Sequence, residues 1–303
     1  MQVVTKDKFC FSLSAKHKAV AVVKAGEIFT LQIEDCYGGM IRSIKDKFSH
    51  VMLEAVNPAT GPVYIEGADV GDILCVHIKS IVTRPYGIAC FESGVGPLKN
   101  KVKGLETCFI PIKGKELIFD KIKIPFQPSI GFIATAPIPG KSFSSTSCDD
   151  HGGNISCKEI QSGVNVYLPV NVKGALLAIG NLHAYSSDGE VAGCSVEVSG
   201  EVVVSATPMK IKMPTPIVET KSALHFLASA RDLNVAEEKL IEKVYSYLCE
   251  NLKFKANEAI KIMGFAGALG ICSIYPHSKT LRFSIPKKVL ESYGWNFLKK
   301  KRK

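Results

Sequence analysis

The sequence predicts a mainly β protein, a jelly-roll-like sandwich or barrel containing a duplicated β unit, with an α+β region at the C-terminal side. Three observations lead there. Between residues 18 and 206, short β-type runs alternate with Gly, Pro, Asn and Asp, as in folds of many short strands joined by turns. A strand–turn–strand element recurs at a fixed offset. Beyond Pro216 the hydrophobic period lengthens from that of a strand to that of a helix.

The strands follow in order. Ala19-Val20-Ala21-Val22-Val23 leads into Ile28-Phe29-Thr30-Leu31-Gln32-Ile33. Later runs are Ile73 to Ile78, Ala175 to Ile179, and Val191 to Val198, the last continuing through Ser199-Gly200 into Glu201 to Val204. Val63-Tyr64-Ile65 followed by Gly71-Asp72-Ile73-Leu74 is echoed 103 residues on by Val166-Tyr167-Leu168 and Gly174-Ala175-Leu176-Leu177. Gly26-Glu27-Ile28-Phe29 is a poorer third copy of the glycine-then-strand step. Each glycine is expected to make the tight turn before a buried strand. Pro208 to Pro216 reads as a connector. Asn234 is the expected cap of a helix running through Asn251, with Val235, Leu240, Ile241, Val244, Tyr245 and Leu248 at helical spacing. A second helix is expected over Ala256 to Met263, then an apolar run from Gly267 to Ile274 and a strand from Thr280 to Ile285. This divides the chain into a β-rich body (1–207) with two related β units, an α+β region (208–298) packing on it, and a basic tail (299–303) expected to be disordered.

Bulk properties narrow the function. The chain has 303 residues, 46% hydrophobic and 22% charged, the balance of a folded globular protein. No apolar stretch reaches the roughly 18 residues of a membrane span. No apolar secretory core follows the first residues, which predicts no export. The ten cysteines are dispersed without a Cys-x-x-Cys pair, the usage expected of a reducing cytoplasm. The net charge of +10 owes half its excess to Lys299-Lys300-Lys301-Arg302-Lys303. Terminal blocks of this kind are usually solvated tails, so no specific nucleic-acid partner is expected.

Chemistry concentrates in two clusters. One is Gly180-Asn181-Leu182-His183-Ala184-Tyr185-Ser186-Ser187-Asp188-Gly189-Glu190, an imidazole and two carboxylates within eight residues. The other is Asp149-Asp150-His151-Gly152-Gly153-Asn154. His183 reads either as a hydrogen-bonded structural residue or as one oriented by Asp188 or Glu190 or sharing a metal with them. Asp188-Gly189 also reads as a hairpin turn, whereas Glu190, at a strand start, suits a general base. Gly152-Gly153 reads as a flexible turn or as an oxyanion hole of backbone N–H groups, with Asn154 as an amide-reading group. Asp35, before Cys36-Tyr37-Gly38-Gly39, is a turn residue or the carboxylate completing a ligand set. A mixed nitrogen and oxygen set suits zinc, manganese or iron, and an oxygen-rich one calcium. No Gly-x-Ser-x-Gly elbow occurs, Ser284-x-x-Lys287 is interrupted by Pro286, and nothing marks Cys36, Cys148 or Cys157 as an activated thiol.

At these residues the chain resembles the acetamidase/formamidase family, hydrolases of short aliphatic amides. The matches run in order from about residue 17 to 290. They are Asp35-Cys36-Tyr37-Gly38-Gly39, Asn57-Pro58-Ala59-Thr60-Gly61-Pro62-Val63, Glu66-Gly67-Ala68-Asp69-Val70-Gly71-Asp72, His151-Gly152-Gly153-Asn154, Tyr167-Leu168-Pro169-Val170 with Gly174-Ala175-Leu176, and the stretch from Gly180 to Glu190. The resemblance implies hydrolysis of a linear C–N amide bond with release of ammonia, a divalent metal with zinc the first choice and calcium or manganese alternatives, and a homodimer or homotetramer. On this reading Glu190 is the general base and Asp188 its orienting partner. His151 and Asn154 take part in catalysis, Gly152, Gly153 and Asn57 contact substrate, and Asp35, His151, His183 and Asn181 surround the metal. The chain departs from the family pattern at Asn181 and Ser156, where relatives carry Asp, and at Ser186-Ser187. Those departures motivate the rival reading, a small-molecule binding member of the family with altered catalysis.

Overall fold

The fold is that of a computed structural model describing residues 1–48, 56–93, 98, 100–276 and 278–294; the tail at 299–303 lies outside the described residues. Two large, mainly antiparallel sheets dominate the described chain, one of nine strands and one of twelve. Their facing sides close the main core. Phe29, Leu31, Val76, Ile78, Val202 and Val204 from the first sheet meet Val63, Ile65, Ile130, Ile133, Leu177, Ile179 and Leu182 from the second. The mainly β class with C-terminal helices expected from the sequence is the class observed. Among the described residues no disulfide joins the cysteines. No helix among the described residues is long and apolar enough to cross a membrane.

The 103-residue echo corresponds to an exchange between two crossing units. The first unit places Ala59–Glu66 in the twelve-stranded sheet and Ile73–Thr83 in the other. The second does the reverse, with Asn165–Pro169 and then Leu177–Tyr185. Each unit's first strand pairs with the other's second. The two turns also bond reciprocally, Gly71 N–H to Val170 O at 2.9 Å and Gly174 N–H to Ala68 O at 2.8 Å.

The C-terminal strands Ile217–Glu219, Ala223–Ala230, Lys279–Pro286 and Ala268–Ile274 extend the nine-stranded sheet. Ala223–Ala230 is buried on both faces, because successive side chains alternate. Leu227 joins the main core, while Leu224, Phe226 and Ala228 join a second core beneath the helices. The first helix is Leu233–Ser246 and continues as a wider turn, Tyr247–Asn251; a second spans Ala256–Ala266. The cap is Asp232, whose carboxylate accepts from Asn234 N–H at 2.9 Å and Val235 N–H at 3.2 Å. It stands two residues before the expected Asn234 because Asp232 already satisfies the first free N–H groups. Leu240, fully buried in this second core, provides a measure of it. Leu240→Ala is expected to lower the unfolding free energy by about 2–5 kcal/mol, read from the denaturant midpoint.

Candidate active site

The centre of the site is a fork in the sheet. Along one side, Leu177–Tyr185 pairs with Ser129–Ala134. On its other side the partner changes: Gly180 is the last residue paired with Ala59–Glu66, and Leu182 the first paired with Val196–Val198. Asn181 stands at the change with φ +52°, a left-handed conformation that Asn tolerates better than most residues. Ser156 (φ +48°) and Glu190 (φ +44°) share this region of backbone space. Strained residues of this kind gather at functional sites.

His183 is fully buried inside the strand, opposite Glu197 across the pairing. Its Nδ1 lies 3.9 Å from Glu190 Oε1 and its Nε2 3.6 Å from Glu197 Oε2, and neither nitrogen has a hydrogen-bond partner among the described residues. Burial lowers its pKa, against the opposing pull of Glu190, so the ring is neutral near pH 7. Glu197 shows the reverse effect: burial, and then the charge of Glu190, push its carboxyl well above the usual range.

Glu190 is also buried. Its Oε1 accepts from Ser195 Oγ, with Ser186 Oγ 3.4 Å away, and its Oε2 accepts from Tyr275 Oη. Tyr275 Oη in turn lies 3.0 Å from Ser156 Oγ. Residues 191–195, expected as strand, form a loop closed by Gly193 N–H to Glu190 O at 2.8 Å. That loop brings Ser195 back onto the carboxylate.

The two sequence clusters meet at Asn154, where Asn181 Nδ2 donates to Asn154 Oδ1 at 2.9 Å. Asn181 Oδ1 is buried without a partner among the described residues. His151 does not join this group. Its ring stacks on Phe143 at 4.6 Å, the charges it feels are Asp149, Asp150 and Lys141, and burial lowers its pKa to about 4. Gly152 and Gly153 are sandwiched between strands: a Cβ on Gly152 would lie 2.3 Å from Ile133 O, and one on Gly153 2.3 Å from Ser147 O. Close packing therefore accounts for both glycines. The charge of Asp35 adds to the upward push on Glu197. Its Oδ1 accepts from Tyr37 N–H at 3.0 Å and Gly39 N–H at 3.1 Å, which shapes the 35–39 loop. Asn57 (φ +56°) braces that loop through its N–H to Cys36 O, 2.8 Å.

Asp188 points elsewhere. It is clamped by Arg282 at 2.6 and 3.0 Å and by Lys158 at 2.7 Å, with no contact to Glu190. Its two cations lie 94 and 30 residues away in sequence, too far for local spacing to reveal. Glu197 and Tyr275 were missed by sequence reasoning. An acid between Val196 and Val198 was the available signal for Glu197; Tyr275 carried none.

The fold that carries this site has close counterparts. A model of the acetamidase/formamidase family matches residues 15–140 and 138–270. The crystal structure of an acetamidase from Bacillus halodurans superposes with a TM-score of 0.93 at 32% identity, over 97% of this chain and 100% of that one. That of a predicted acetamidase/formamidase from the thermophile Thermoanaerobacter tengcongensis gives 0.93 at 35% identity, over 98% and 99%. A formamidase of Methylophilus methylotrophus is 23% identical over 83% of this chain and 81% of its own length. Matches to curated relatives span from 61% to 81% of those proteins' lengths. The class these likenesses define is a mainly β scaffold of amide-hydrolysing enzymes. The chain belongs to the acetamidase/formamidase family.

Proposed function

We propose that this chain is an amidase that hydrolyses the linear C–N bond of short aliphatic amides and releases ammonia, with Glu190 as general base. The observation that carries the reading is Glu190 itself, a buried carboxylate held by the Ser195 and Tyr275 hydroxyls beside a neutral imidazole. A carboxylate offers about four acceptor positions, so the Ser195, Ser186 and Tyr275 hydroxyls leave one for water. Glu190 takes a proton from that water, the oxygen bonds to the amide carbon, and the C–N bond breaks as the nitrogen recovers a proton from Glu190. The unpartnered Asn181 Oδ1 supplies what a primary amide requires, a neutral acceptor for its –NH2 group. A buried acceptor left unpaired favours ligands that can donate to it. Asn154, locked to Asn181, is the second amide-reading group.

A divalent metal fits only part of the expected set. His183 and Asn181 present unpartnered donor atoms, as does Glu197 Oε2, whereas His151 stacks on Phe143 and Asp35 shapes its own loop. Among the described residues no three His, Cys, Asp or Glu side chains converge on one point. His183 and Glu197 would then be the residues to hold an ion, zinc or manganese by their nitrogen and oxygen character, which leaves Asn181 Oδ1 to the amide. Bound there, it would supply Lewis acidity. The reading also carries a cytoplasmic location, expected from the cysteine usage, and self-association, expected from the resemblance.

The test is ammonia release from formamide, acetamide and longer aliphatic amides, with and without added zinc, manganese or calcium, on protein whose metal content has been measured. Ammonia and carboxylate formed in equal amounts are the expected result. Amide-induced thermal shifts without turnover would favour the binding-protein alternative.

A further inference from the structure

Three consecutive residues of the catalytic loop are tied to one distant hairpin. Asp188 is gripped by Arg282 of Lys279–Pro286 at 2.6 and 3.0 Å. Gly189 N–H donates to Cys272 O at 3.0 Å, and Gly189 bridges Ser273 in parallel register. Glu190 Oε2 accepts from Tyr275 Oη. Cys272 and Ser273 belong to Ala268–Ile274, and Tyr275 follows that strand directly. The tyrosine is half-buried, with its hydroxyl end inside the protein between Ser156 and Glu190. Burial and the charge of Glu190 push the phenol's pKa well above its ordinary value, so the hydroxyl remains a donor at any working pH.

We propose that Tyr275 is a positioning residue for Glu190, delivered by the C-terminal hairpin, so that the α+β region forms part of the active site. The proposal rests on the reading of Glu190 as general base. A carboxylate without Tyr275 keeps its donor at Oε1 but loses the one that fixes its rotation about the terminal bond. That torsion is broad by nature, and a base acts only when aimed at the proton it abstracts. Tyr275 orients Oε2, and Ser156 Oγ, 3.0 Å away, holds the phenol in place.

The experiment uses the full chain and the best substrate of the aliphatic amide panel. Tyr275→Phe removes one oxygen and leaves the ring packed. Its kcat is expected to fall about ten- to a hundredfold, the range for one hydrogen bond to a charged group, with KM within about twofold and the protein folded, its thermal midpoint lowered by no more than a few degrees. In a Glu190→Gln background the same substitution should cost little more, because it acts through the group already removed. Wild-type kcat in Tyr275→Phe, with Glu190→Gln inactive, overturns the positioning role and leaves the base reading intact. An equal loss from Tyr275→Phe in both backgrounds overturns it too, since the phenol would then act independently of Glu190. Wild-type kcat in Glu190→Gln overturns the base reading and this proposal with it.

Discussion

Glu190→Gln is expected to reduce amide turnover by about 10²- to 10⁴-fold, the span that a positioned general base contributes, while the protein remains folded. The two halves of that expectation have separate physical sources. Gln has the size and shape of Glu, and its carbonyl oxygen can still accept from Ser195 Oγ, the partner of Oε1. Its –NH2 group would face Tyr275, whose hydroxyl can turn to accept from it and donate to Ser156 Oγ, 3.0 Å away. The polar neighbours therefore stay paired, and removing one negative charge from a buried site does not by itself destabilise it. The amide, however, cannot take a proton from water. The measurement pairs initial rates of ammonia release with a thermal midpoint. A rate within about tenfold of wild type, below the range for general bases, would remove Glu190 from that role. A collapsed midpoint would mean that the charge is structural.

What the sequence revealed about this site follows the range over which each interaction acts. His183 and Glu190 stand seven residues apart, joined by one turn, so a local reading could group them. Asp188 lies inside the same stretch and looks equivalent there. Arg282, on a strand 94 residues away, draws it outward, and no local spacing encodes that pairing. The glycine pair at 152 and 153 was ambiguous for a related reason. A residue without Cβ permits either a close ligand or a close strand, and the difference lies in what the third dimension places opposite. Here it is Ile133 O and Ser147 O. The fold was more legible, because period and turn chemistry are local. The 103-residue echo pointed to duplication, although not to two copies exchanging strands between sheets. Where the strand expected over Val191 to Val198 was interrupted, the reason is a loop folded around Glu190; there the functional site overrides the apolar pattern.

Gly131→Ala is expected to impair both stability and activity, and the cause is a single missing atom. Gly131 lies between Ile130, opposite Leu182, and Phe132, opposite Gly180, and therefore faces Asn181. A Cβ at Gly131 would stand 2.6 Å from His183 Cε1 and 2.8 Å from both Asn181 Nδ2 and Asn181 O. One of those is backbone and the others are parts of buried side chains, so nothing can swing aside at low cost. Overpacking of this kind costs about 1–3 kcal/mol. Relief requires moving His183 or Asn181, and misplacing an active-site group by about 1 Å can cost on the order of a hundredfold in rate. Gly264→Ala provides the control: it lies in the exposed face of Ala256–Ala266, and an added Cβ there meets nothing within 4 Å. Ala exceeds Gly in helix propensity by about 0.8–1 kcal/mol, so that variant should gain stability and keep full turnover. Denaturant midpoints and ammonia release, measured on both variants, separate the cases. A Gly131→Ala protein with wild-type rate and stability would show that the strand spreads at the fork without disturbing His183, and the close fit between strand and imidazole would then have no part in aiming the site.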